Sequence, residues 1–266
     1  MTAPAGARPA KPRPGWGLVA GLVGFAALTW WAGGARYGIG FSVAEMIDNA
    51  RRARRIVSDF FNPDWNFAPA TVAPFVETLQ MAILAAVIGC GAALIVAFLA
   101  SRLTTPNNPV YLVDKGGLNV LRALPDLLYA LVFVAAFSIG PLGGILALIM
   151  FNVGVVAKLL SETVDGVDTG PVEAAQAAGA GRLQTVRTAV FPQVLPNYLA
   201  YSLYAFELNL RASTVIGYVG AGGIGQLVQT QVARFAYGRV TVIIVEIFVI
   251  VFVIESISIA LRRRLV

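Results

Sequence analysis

Few side chains in this sequence have the types and spacing that chemistry needs, and most of them stand inside apolar runs. Glu207 and Arg211 are four apart, as are Arg122 and Asp126, and Lys158 and Glu162. On a helix such a pair shares one face and neutralises itself, which limits the cost of burial in hydrocarbon. Glu246 and Glu255 stand in the last apolar run without a cation beside them. Histidine is absent, which removes the commonest metal ligand and the commonest general base near neutral pH. Cys90 is the one cysteine and has no partner for an internal disulfide. No acid–base or metal set converges, so an enzyme is weakly supported and no metal site is expected.

Gly220, Gly222 and Gly225 match G-x-G-x-x-G, with Gly223 adding a fourth glycine. Dinucleotide chemistry there requires a βαβ unit and an acid about 20 residues on. The available acid, Glu246, sits within an apolar run. These glycines read instead as a tight or re-entrant turn closing a helix. No Walker G-x-x-x-x-G-K-[ST] occurs, so ATP is not expected to bind this chain by that motif.

The elements that position these residues must be membrane helices. The chain is 58% hydrophobic and 13% charged, against about 25% charged in soluble domains. Charge-free windows fall at 14–35, 78–101 and 127–157, and about 20 apolar residues cross a bilayer as helix. Gly140-Pro141 and Gly143-Gly144 divide the last window, predicting helices over about 117–139 and 142–164. A fifth span runs over 188–218 through Glu207 and Arg211, and a sixth over 240–261. The runs are too long for barrel strands. The fold class is all-α and polytopic, with six transmembrane helices.

At the N-terminus, 1–14 reads as a disordered tail and 15–35 as the first transmembrane helix, too long for a signal-peptide core. Residues 36–72 form an outer segment with an amphipathic interfacial helix over 43–61. Ser42 and Glu45 have the spacing of a capping box at its start. The Lys and Arg of the tail, Arg102, Lys115, Arg182, Arg187 and the C-terminal arginines outnumber those of the opposite segments. That bias places both termini in the cytoplasm.

Residues 171–198, PVEAAQAAGAGRLQTVRTAVFPQVLPNY, are a long, mildly polar stretch between the fourth and fifth spans. Glu173-Ala174-Ala175, then Gly179-Ala180, then Phe191-Pro192, resemble the EAA loop of ABC-importer permeases. Small alanines leave a slim helix face that fits a groove on another protein. Gly179 permits φ > 0 where that helix turns, and Pro192 and Pro196 suit the first turn of the next helix. LRALPDLLYALVF (121–133), GPLGGILALI (140–149), AKLLSETVDGVDTGPVEAA (157–175) and LPNYLAYSLYAFELNLRASTVIGYVGAGGIG (195–225) resemble the phosphonate-type permease. That family carries phosphonates, phosphite or phosphate. FELNLRASTVIG followed by GAGGIG is similar also to methionine-importer permeases.

The resemblance implies a permease domain over 73–264, a five-helix core of the type I ABC importer kind with the first helix peripheral. It implies a cytoplasmic coupling loop over 165–191, where Glu173, Ala174, Ala175, Gly179, Ala180 and Arg182 meet an ATPase. It also implies a second copy of this chain, two ATPase subunits that bind ATP and Mg, and an extracytoplasmic binding protein. The place is a bacterial cytoplasmic membrane, with lipid and no nucleic acid as partner. Arg122, Asp126, Glu207, Asn209 and Arg211 are the candidates for the translocation path. A secondary transporter is the competing class, but the inverted repeats it would display are not evident.

Overall fold

The computed structural model describes residues 16–34, 39–105 and 107–263. The tail at 1–14, Arg36 and Arg264 lie outside them. Among the described residues every regular element is helical. The chain divides into a unit ending at Val57 and a unit beginning at Ser58. In the first, α1 (Trp16–Gly33) has no buried residue. α2 (Val43–Asp48) is capped by Ser42, whose hydroxyl accepts from the Glu45 N–H at 3.2 Å. The helix expected over 43–61 is two helices, because α3 (Ala50–Phe60) starts anew after Asn49. The Asn49 side-chain amide donates to Glu45 O at 2.9 Å, a local bond that competes with helix continuation.

The second unit opens with a 3₁₀ turn (Trp65–Phe67) and α4 (Ala68–Leu99). It continues through α5 (Asn108–Ala123), α6 (Asp126–Phe137), α7 (Pro141–Asp165), α8 (Thr169–Ala177), α9 (Arg182–Thr185), α10 (Phe191–Ile216), α11 (Gly223–Ala233) and α12 (Tyr237–Arg262). Four stretches among the described residues are long and apolar enough to cross a membrane: α1, α4 with its lead-in turn, α7 and α12. α5 and α6 make a fifth if taken as one broken span. α10 has the length but is more polar.

The third span is therefore not the continuous helix the apolar window suggested. α5 and α6 meet at 90°. Pro125 holds Leu124 in extended backbone, φ −89° and ψ 131°, as the residue before a proline prefers. Tyr129 Oη donates to Leu121 O at 2.7 Å and satisfies a carbonyl freed at the end of α5. Arg122 and Asp126 consequently lie on different helices and do not share a face.

α4 and α7 pack most closely. Ala85, Gly89, Ala93 and Ala97 recur every fourth residue on α4 and are buried, the small-residue stripe that lets membrane helices approach. A Cβ on Gly89 would lie 2.7 Å from Asn152 Cβ, and one on Gly144 2.5 Å from Met81 Cε. Asn152 Nδ2 donates to Ala85 O at 2.9 Å and Asn209 Nδ2 to Ala82 O at 3.3 Å. Both asparagines are fully buried, so α7 and α10 are tied to neighbouring carbonyls of α4.

Pro192 stands in the first turn of α10 as expected, whereas Pro196 lies inside the helix. A π turn (Val186–Val190) joins it to α9, so helix runs from Arg182. The Phe191 N–H reaches Val186 O, five residues back. The widened turn stands directly upstream of Pro192, whose ring and missing N–H disturb regular α spacing. α10 ends at the glycine turn, where φ is +97° at Gly220, +84° at Gly222 and +66° at Gly223. A Cβ on Gly225 would fall 2.8 Å from Gly217 Cα. Ile224 N–H donates to Thr78 Oγ1 at 2.8 Å, fixing this turn on α4.

Candidate functional site

Two groups of residues stand out, one on the loop between α7 and α10 and one between α10 and α12. In the first, Asp168 caps α8 and accepts from the Gly170 N–H at 2.9 Å. Glu173 lies a turn further in. Val172 is the buried residue of α8 and belongs to the main apolar core, with Ala175 packed beside it. Glu173, Ala174, Gln176 and Ala177 face outward. Two of these four outward residues are alanine.

The helix closes as its glycine requires. Gly179 has φ +81°. Its N–H donates to Gln176 O at 2.9 Å, and that of Ala180 to Ala175 O at 3.0 Å. These bonds form a Schellman motif, which satisfies carbonyls left open at the helix end. Gly181 follows as the cap of α9 and Arg182 as its first, exposed residue.

Residues that the spacing did not reveal hold this loop in place. The Gln193 side chain accepts from Asp168 N–H at 3.1 Å and donates to Asp168 O at 3.2 Å, binding α8 to α10. Asp165, at the end of α7, accepts on Oδ1 from Ser101 Oγ at 2.6 Å and Arg102 N–H at 2.9 Å. Lys115 Nζ is 3.9 Å from its Oδ2. Arg102 also stands over the Tyr111 ring, 4.6 Å from its centroid. The ends of α4 and α7 and the start of α5 are thus one polar assembly. The contacts to Asp165 span 50 to 64 residues of sequence, so no local pattern announces them.

The second group centres on Glu207, whose side chain is 5% exposed. Arg211 pairs with its Oε1 and Arg262 with its Oε2, the latter at 3.3 Å. Arg211 also reaches Glu255 Oε2 at 3.4 Å. The i,i+4 pair read from sequence is therefore half of a four-residue network linking α10 to α12. The other candidates are elsewhere. Asn209 is turned away from Glu207, into the contact with α4. Arg122 and Asp126 flank a small cavity at the α5–α6 break, with Tyr129 and Gly154; Asp126 Oδ1 accepts from Leu127 N–H at 2.9 Å. Lys158 and Glu162 pair at 2.9 Å on α7. Glu246 lines an apolar groove between α4 and α12.

Comparison with known proteins places this arrangement. The family described as "Binding-protein-dependent transport system inner membrane component" matches residues 89–266. The phosphite transport system permease protein PtxC of Stutzerimonas stutzeri is 40% identical over 202 residues, 76% of this chain and 74% of that protein. The phosphate-import permease protein PhnE of Mycolicibacterium smegmatis is 41% identical over 190 residues, covering 71% of this chain but 36% of that longer protein. Among solved structures, an inward-facing conformation of the MetNI methionine ABC transporter aligns with a TM-score of 0.64 at 24% identity, over 74% of this chain and 96% of that one.

Proposed function

Because this chain belongs to the family of inner membrane components of binding-protein-dependent transport systems, we propose that it is the permease subunit of an ATP-driven importer for a phosphorus oxyanion: phosphite, phosphate or a phosphonate. The observation that carries the reading is the likeness to the phosphite permease across three quarters of both chains. The chain has no ATPase site of its own and works as a pair with a second copy. ATP and Mg are bound by two cytoplasmic ATPase subunits, and an extracytoplasmic binding protein delivers the solute. N- and C-termini face the cytoplasm, which sets α8 on the ATPase side.

The outward face of Glu173, Ala174 and Ala177 enters a groove of the ATPase, and closure of the ATPase pair moves α8. Val172 in the core and the Gln193 clamp on Asp168 carry that displacement into α10. Asp165 and its partners carry it to the ends of α4 and α7. Rigid links of this kind let a small shift at the loop become a change of access between the helices.

Purified permease, ATPase and binding protein reconstituted in vesicles test the reading. Uptake of labelled phosphite, phosphate or methylphosphonate that requires ATP is the expected result. Uptake of methionine with none of these three moves the chain to the methionine branch. ATP-independent exchange makes it a secondary transporter.

A further inference from the structure

Glu207 has more positive charge around it than a buried carboxylate requires. One close, hydrogen-bonded cation suffices to make such a group tolerable, and losing the last one is what destabilises. Here each carboxylate oxygen has its own guanidinium, Arg211 on Oε1 and Arg262 on Oε2. The two arginines are not equally committed. Arg262 is 27% exposed and pairs with Glu207 alone among the described residues. Arg211 is 47% exposed and shared with Glu255, itself 43% exposed, at 3.4 Å. Exposed pairs of that kind contribute little and exchange readily.

The position suits a station inside the membrane. Glu255 and Arg262 are separated along α12 by about 10 Å, and Arg262 is that helix's last residue. On α10, however, Glu207 and Arg211 stand about 21 and 27 Å along the helix from Gln193, the residue that clamps its α8 end, and neighbouring Asn209 bonds Ala82 in the middle of α4, so the network lies part-way through the bundle. A guanidinium presents paired N–H donors that match a phosphorus oxyanion with two parallel bonds.

We propose that Arg211 is a swinging guanidinium that takes the oxyanion part-way along the path, while Arg262 stands in for it on Glu207. Glu255 competes with the anion for Arg211 and draws the side chain back once the anion has gone. The site is weak by design, because conduction needs a station that a solute leaves as easily as it enters. The inference rests on the oxyanion-importer reading, and it adds Glu255 and Arg262 to the residues that move the solute.

The test uses the reconstituted complex with R211Q, R211K, R262Q and R211Q/R262Q, each measured for thermal midpoint and for ATP-driven uptake of labelled phosphite and phosphate. R211Q should melt within a few degrees of wild type and lose at least tenfold in uptake. R211K should recover part of that loss, since it restores the charge without the fork. R211Q/R262Q should melt far below either single variant, because Glu207 then has no cation among the described residues. Vesicles preloaded with inorganic phosphite should slow wild-type uptake several-fold more than uptake by R211K. Wild-type uptake speed in R211Q overturns the role of Arg211. An R211Q as unstable as the double variant, or one that fails to fold, overturns the stand-in role of Arg262. A wild type that carries neither anion nor a phosphonate overturns the importer reading itself, a result separate from either of these.

Discussion

The α4–α7 contact and the α10–α12 contact are both helix pairs in one bundle, yet they are held by opposite means. Along α4 and α7 the side chains shrink to alanine and glycine, and two asparagines bond to neighbouring carbonyls of α4. Any added atom collides there, as the 2.7 Å approach at Gly89 shows. Between α10 and α12 the contact is made by long, charged, partly exposed side chains with alternative partners. A close-packed seam has one arrangement. An ionic contact with a surplus partner has several of similar energy. The first suits a frame and the second a part that moves.

The largest effect should come from emptying the ionic contact. R211Q/R262Q leaves Glu207 buried without a cation among the described residues and should cost about 3–5 kcal/mol, read as loss of monodisperse protein and a lowered thermal midpoint in detergent. Adding E207Q to that variant should restore much of the loss, because the stranded charge is gone. The seam comes next. Gly89→Val should cost about 3 kcal/mol, at the upper end for overpacking, since its Cβ falls on Asn152 Cβ and Ile149 Cα together. R211Q alone should cost under about 1 kcal/mol, because Arg262 stays on Glu207 and the pair lost with Glu255 is exposed, while Asn209→Ala should cost about 1 kcal/mol for a lost interhelical bond. If R211Q proves the more damaging of these two, the contrast between the contacts fails.

Gly179→Val should be the mildest for the bundle. No atom lies within 4 Å of its would-be Cβ, so only the positive φ opposes it, at about 1–2 kcal/mol confined to the loop. Its effect should appear instead as loss of ATPase association or of ATP-driven uptake in an otherwise folded protein. Full association and full uptake would remove the α8 loop from coupling.

Much of the frame was legible because hydropathy and helix length follow from the same solvent. The windows at 78–101, 142–164 and 240–261 fall on α4, α7 and α12. The α4 helix begins earlier, at Ala68, since Glu77 ended the charge-free window without ending the helix. The 90° break at Pro125 lies just upstream of the charge-free window at 127–157, where the third span was extended back through Asp126 and Arg122, and with the break went the supposed Arg122–Asp126 pairing. Gly179 and the glycine turn were readable because positive φ excludes most other residues. Glu255, Arg262, Gln193 and Asp165 were not, since their partners are set by how helices dock rather than by spacing along the chain.

The π turn at Val186–Val190 holds one residue more than an α turn would. Each residue of an α-helix advances about 1.5 Å and rotates about 100°. Were that turn to tighten into regular helix, Arg182 and everything upstream of it would advance and rotate by those amounts relative to α10. The segment is therefore a one-step screw thread placed between the α8 loop, proposed above to meet the ATPase, and the membrane helix. A pull on the loop then becomes a twist of Glu207 and Arg211, the two residues of α10 that meet α12 through their charges.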